Sequence, residues 1–215
     1  MFFDKPLSLT VTTAVLSLMA AQAGAQDQEI SVNLPYSGVH AARGVNVYLT
    51  MGDAASIKAD AGDKDFARLE VKVEDAVLHV RRQGGSDDKR FDLDVYVAAD
   101  RPLDFLKAST GARLDGTDLT LDGEAEILAN TGGEMTLSGA CETALLKAST
   151  GGEIEAEDLI CESVTVKTGT GGSIEIHASK TAIAYARMGG EVILYGEAEL
   201  KKKGASFGGE IRQRK

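Results

Sequence analysis

Three histidines, two cysteines and a set of recurring glutamates are the residues of this chain that could do chemistry. His40, His79 and His177 each stand alone in their local sequence, with no HExxH and no Cys-x-x-Cys motif. No helical pattern follows a Gly/Ser-rich turn either. Metalloprotease, dithiol redox and serine esterase readings therefore lack support. A lone His on a strand is ordinarily a surface or turn residue. Glu134, Glu153, Glu191 and Glu210 each follow a glycine pair. Carboxylates repeated in that way could bind a cation or a glycan, or act as acid and base inside a cleft. Acid–base work needs a desolvating pocket that moves the pKa values, and the spacings between repeats leave no room for the long loops that would build one. The calcium β-roll needs tandem Gly-Gly-x-Gly-x-Asp, which is absent. Two like charges ~5 Å apart in water repel by only about 0.8 kcal/mol. The glutamates thus read as a solvated acidic face, a binding surface at most, with no metal, no cofactor and no catalytic residue expected.

What positions these residues is a repeat. Six rows align on a glycine: "LKASTGARLDG", "ILANTGGEMTL", "LKASTGGEIEA", "VKTGTGGSIEI", "AYARMGGEVIL" and "KGASFGGEIRQ". The anchors are Gly111, Gly132, Gly151, Gly171, Gly189 and Gly208, a period near twenty residues. Short periods of this kind mean a solenoid. After each anchor, Leu114, Met135, Ile154, Ile174, Val192 and Ile211 form one column, with polar residues between it and the next apolar position. Period-two alternation with glycine punctuation is a strand pattern. The expected fold is all-β: a single-stranded parallel β-helix, right-handed by the usual crossover rule. Its coils stack at roughly 4.8 Å. Glycine allows positive φ at the sharp turns. A phosphate loop is excluded because "TGTGGS" (168–173) lacks the closing Gly-Lys-Ser/Thr.

Cys141 and Cys161 are one period apart. Stacked Cα atoms about 4.8 Å apart lie within reach of a disulfide. Their offsets from the preceding glycines are nine and ten, so the register decides between a bridge and a buried thiol pair.

Three segments are expected. Residues 1–25 read as a signal peptide: Lys5, then the apolar "LTVTTAVLSLMAAQA", then "AGA" with cleavage after Ala25. Residues 26–105 are strand-rich but less regular, either the first coils or a cap of the solenoid. Residues 106–215 carry the regular repeats and a basic terminal coil. No second apolar run is long enough to span a bilayer. The formal charge of −10 argues against nucleic acid, which needs clustered Lys and Arg. From residue 201, Lys201, Lys202, Lys203, Arg212, Arg214 and Lys215 face Glu210 alone, which allows weak head-to-tail self-association.

"SGVHAARGVNVYLTMGD", the repeated "TGG" followed by Glu or Ser and Ile, and "GGEVILYGEAELKKKGASFGGEIR" resemble the bacterial head GIN domain, a putative auto-transporter adhesin head, over about residues 36–212. The coil of that family often carries Gly-Ser-Gly-Asp, where this chain writes Gly-Gly-Glu or Gly-Gly-Ser. The family name implies a C-terminal membrane barrel, and no barrel-strand pattern leads to Lys215. The resemblance implies an exported, non-enzymatic module of the bacterial envelope, in the periplasm or at the cell surface, with an envelope protein or glycan as partner. Two alternatives stand beside it: a carbohydrate-active β-helix enzyme acting on an acidic or neutral glycan, and an envelope accessory protein.

Overall fold

A computed structural model describes residues 26–32, 35–84 and 93–215. The signal-peptide segment 1–25 lies outside these described residues. The elements are β1 (Gln26–Glu29), β2 (Gly38–Ala42), β3 (Asn46–Met51), β4 (Ser56–Ala61), a single-turn α1 (Asp63–Phe66), β5 (Leu69–Glu74), β6 (Val77–Arg82), β7 (Asp94–Ala99), β8 (Leu103–Ser109), β9 (Arg113–Asn130), β10 (Glu134–Ser149), β11 (Glu153–Gly169), β12 (Ser173–Arg187), β13 (Glu191–Tyr195), β14 (Glu199–Ser206) and β15 (Glu210–Arg214). The chain is an all-β solenoid.

Each of β9 to β12 is most of one coil, and successive coils pair in parallel. Like sits on like. Val95, Val47, Leu114, Met135, Ile154, Ile174, Val192 and Ile211 form one unbroken inward ladder. All eight are buried. A second ladder, Leu78, Val39, Leu106, Ile127, Leu146, Val166 and Ala184, runs up the wall before the corners. No coil could hide its apolar side alone; each is buried by its neighbours.

The Thr-Gly-Gly corners divide the work between their two glycines. Thr150 and Gly151 take φ values of 54° and 70°, the left-handed region that glycine enters freely. Gly152 is needed for space: a Cβ there would lie 2.1 Å from the Ala129 carbonyl oxygen. Between corners, register shifts absorb the uneven period. The shift between Thr136 and Ser138 changes the offset from β10 to β11 from nineteen to twenty residues.

The first half of the chain does not stack in sequence order. β2 and β3 lie directly against β8 and β9. The later strands β6 and β7 pair in parallel on their other side. Beyond these, β4 runs antiparallel to β7, β1 antiparallel to β4, and β5 antiparallel to β6. After β1 at the outer edge, the chain lays β2 and β3 one coil inside the stack, travels out to complete a lid with β4 to β7, and comes back at β8 to continue. Antiparallel strands end a parallel stack without offering it another coil.

The far end is closed by side chains. Lys203 takes the inward rung above Ala184, and Gln213 takes the one above Leu194. The Lys203 ammonium donates to the Ile211 carbonyl at 3.0 Å. The Gln213 amide donates to the carbonyls of Gly196 and Ala198 at 3.3 and 3.0 Å. Inward-pointing polar groups on a last strand are a known device against edge-to-edge pairing.

Candidate functional site

The outer faces of the coils are what this fold offers to a partner. Arg113, Glu134, Glu153, Ser173, Glu191 and Glu210 stand in register as one outward column. Arginines bracket it. Arg113 pairs with Glu134 at one end. At the other, Arg212 holds Glu210 through both oxygens at 2.7 and 2.8 Å and reaches Glu191 at 3.2 Å. That guanidinium lowers the Glu210 pKa. Of the four glutamates, only Glu153 forms no ion pair among the described residues. Lys147 pairs with Glu126 at 2.7 Å on another face.

The denser acidic patch is one column further on. Glu155, Glu157, Asp158 and Glu175, with Thr136 and Leu137, line a shallow hollow of about 300 Å³ beside the register shift in β11. Glu175 accepts a hydrogen bond from the Tyr195 hydroxyl at 2.7 Å, which raises the pKa of that phenol. Glu155, Glu157 and Asp158 are exposed on its wall and Glu175 is half-buried. Among the described residues no cluster of three or more His, Cys, Asp or Glu is placed to hold a metal ion.

Cys141 and Cys161 are register partners, Cα atoms 4.6 Å apart, and are joined as a disulfide. The extra residue taken up at the register shift aligns them despite their unequal offsets from the glycines. The bridge ties β10 to β11 next to the acidic patch.

Two constellations could not be found along the sequence. His40 and His79 sit side by side on β2 and β6, Nδ1 to Nδ1 3.2 Å, and His40 Nε2 is 2.9 Å from the Ser109 hydroxyl. Burial, then Lys107, His79 and Arg81, push the His40 pKa down to about 4. Burial also lowers that of His79, against the opposing pull of Glu74. On the acidic side, Tyr48 and Tyr96 stack with centroids 5.1 Å apart, and Asp115 is the next rung. Burial raises the Asp115 pKa, partly offset by Arg113. Both pairs join β2–β3 to β6–β7 across some forty residues. No local spacing carries that signal, because the coil order departs from the sequence order there.

One local match to a catalytic motif is not a site. Gly204-Ala-Ser206-Phe-Gly208 spells the G-x-S-x-G pattern of a nucleophile elbow. Ser206 instead ends strand β14 beside Arg187, and the next element is another strand. The strand-to-helix turn that such a nucleophile requires is missing.

The face that precedes the glycine corners is cationic. Its central outward column reads His79, His40, Lys107, Leu128, Lys147, Lys167, Tyr185 and Gly204. Phe105, Leu145 and Ile183 lie half-buried two positions before this column, and Arg187 lies two positions after it. No helix among the described residues is long and apolar enough to cross a membrane.

A structure of a putative adhesin from Bacteroides fragilis shares this fold, with a TM-score of 0.67, 17% identity, and coverage of 90% of this chain and 98% of that one. A putative lipid binding protein from Parabacteroides distasonis aligns over 89% and 97% of the two chains at 16% identity, with a TM-score of 0.48. A putative adhesin from Parabacteroides merdae aligns over the same shares at 15% identity, with a TM-score of 0.49. No curated protein matches the sequence. The family described as "Putative auto-transporter adhesin, head GIN domain" matches residues 35–198, most of the solenoid and its lid, and the chain belongs to that family.

Proposed function

We propose that this chain is an exported, non-enzymatic binding module of the cell envelope, presenting the outer faces of a rigid solenoid to a protein or glycan partner. The observation that carries the reading is the segregation of charge on uniform coils. Glutamates gather on the face after the glycine corners and lysines on the face before them. A stack of parallel coils is stiff, so its faces are ordered before a partner arrives and binding loses little conformational entropy. Catalysis asks for the opposite arrangement, a few groups converging in a dry pocket, and no such convergence occurs among the described residues.

The test is retention of envelope components. Residues 26–215 are immobilised and washed with detergent-solubilised envelope protein and, separately, with envelope polysaccharide. Saturable retention that falls at least tenfold on replacing Glu155, Glu157, Asp158 and Glu175 by Gln supports the acidic face as the contact. Turnover of a glycan by the wild-type chain, lost in the same variant, would overturn the non-enzymatic reading.

A further inference from the structure

At the glycine corners, four successive coils place Thr110, Thr131, Thr150 and Thr170 at the left-handed position. The last two coils place Met188 and Phe207 there instead, at φ 49° and 50°. These are the most exposed large apolar side chains of the described residues, 59% and 86% exposed. Neither gains from burial in the fold, and a bulky side chain is unfavourable in that backbone region. The two corners are neighbours: the Met188 N–H donates to the Ser206 carbonyl, and the Gly189 N–H to that of Phe207. They form one convex apolar knuckle.

Cations border it on one side; on the other, Glu191 and Glu210, three residues after Met188 and Phe207, are held by Arg212. Arg187 precedes Met188 in the chain, and Lys167 and Tyr185 are register partners in the coils just inside. These three and Thr168 line a hollow of about 350 Å³ on the cationic face. Lys167 and Arg187 form no ion pair with any described residue. Beyond them β14 carries Lys201, Lys202 and Lys203. Residues 199–215 hold six basic side chains and two acidic ones, in a chain of formal charge −10.

We propose that this end of the solenoid docks on an anionic phospholipid surface. The Met188 and Phe207 side chains enter the interfacial layer while a lipid phosphate sits in the hollow between Lys167 and Arg187, within reach of the Tyr185 hydroxyl. Apolar tips beside a cluster of Lys and Arg are what an anionic interface recruits. A convex corner suits a deformable headgroup layer better than a protein, which needs roughly 800 Å² of complementary surface per partner. The patch of Glu155, Glu157, Asp158 and Glu175 would keep the rest of the molecule off the same surface. This deepens the binding-module reading and rests on it: one end would be held at a lipid surface while the side faces stay free.

The probe is sedimentation of residues 26–215 with vesicles of phosphatidylglycerol and phosphatidylethanolamine, against vesicles of phosphatidylcholine alone. Binding to the first, at least tenfold weaker to the second and weakened by salt, is expected. Met188→Thr with Phe207→Thr restores the residue type of the earlier corners and leaves the core untouched; it should lower the bound fraction at least fivefold. Lys167→Gln with Arg187→Gln should lower it comparably without changing the melting temperature. Equal binding by these variants, or none by the wild type to anionic vesicles, overturns the proposal. So does concentration-dependent association in light scattering that the Met188/Phe207 variant alone abolishes, since the knuckle would then be a contact between copies. Any of these outcomes leaves the envelope-retention test on the acidic face standing.

Discussion

The ammonium of Lys203 donates to the carbonyl of Ile211, 3.0 Å away, from a rung that a Leu, Ile, Val or Ala occupies in the coils below. A charge has been set where the ladder would otherwise invite another layer. Lys203→Leu should extend the apolar ladder to the open edge. The expected result is concentration-dependent oligomers in size exclusion with light scattering, at little change in monomer melting temperature. A variant that stays monomeric at every concentration would show that the lysine is not what blocks stacking.

The two corner glycines should respond differently to alanine. Gly152→Ala forces a Cβ to 2.1 Å from a backbone oxygen of the neighbouring coil, which can be relieved only by parting the coils. A loss of about 3 kcal/mol is expected from overpacking of this kind. Gly151→Ala meets open space and carries only the left-handed strain, about 1 kcal/mol. Urea unfolding of the two variants checks the order; equal losses would refute the division of labour.

Reducing the Cys141–Cys161 bridge releases a loop of sequence separation 20. The chain-entropy estimate for such a loop is about 3 kcal/mol. Cys141→Ser with Cys161→Ser should lower stability by that order, and a reductant should shift the wild type but not the variant. Two free thiols titrated in the unfolded, unreduced protein would show that no bridge forms.

Stability should decline on mild acidification. The His40 pKa falls from 6.5 to about 4 on folding, so below pH 6.5 the unfolded chain takes up a proton that the folded chain refuses. The contribution is intact above pH 6.5 and is lost as pH drops through about 4. The ring is only partly buried, so the loss is about 2 kcal/mol rather than the full linkage value. Glu70, held down to about 2 by Arg81, Gln83 and Lys72, adds a further loss at lower pH. His40→Gln keeps a partner for Ser109 and should flatten the stability curve between pH 6.5 and 4; an unchanged curve would remove His40 as its origin.

The export expectation has a direct measurement. Full-length chain expressed in a bacterium should appear outside the cytoplasm with Gln26 at its N-terminus, and deletion of residues 2–25 should retain it inside.

The sequence by itself determined the ladders and the corners. A period near twenty, glycines at every turn and alternation between them leave one way to bury Met135, Ile154 and Ile174, on top of one another. Like residues then stack, and the Glu134 column follows from the same register. Tertiary structure decided whatever depends on coil order and on bulges. The insertion of β6–β7 beyond β2–β3 is not periodic, so the contacts of His40 with His79 and of Tyr48 with Tyr96 were invisible along the chain. The register shift that aligns Cys141 with Cys161 was hidden in the same way: one extra residue costs a strand little, yet reverses which side its neighbours face. The arginines that balance the glutamates, and the exposed knuckle of Met188 and Phe207, emerged only once neighbouring coils were in place, because charge pairing and exposure belong to the assembled surface rather than to any single repeat.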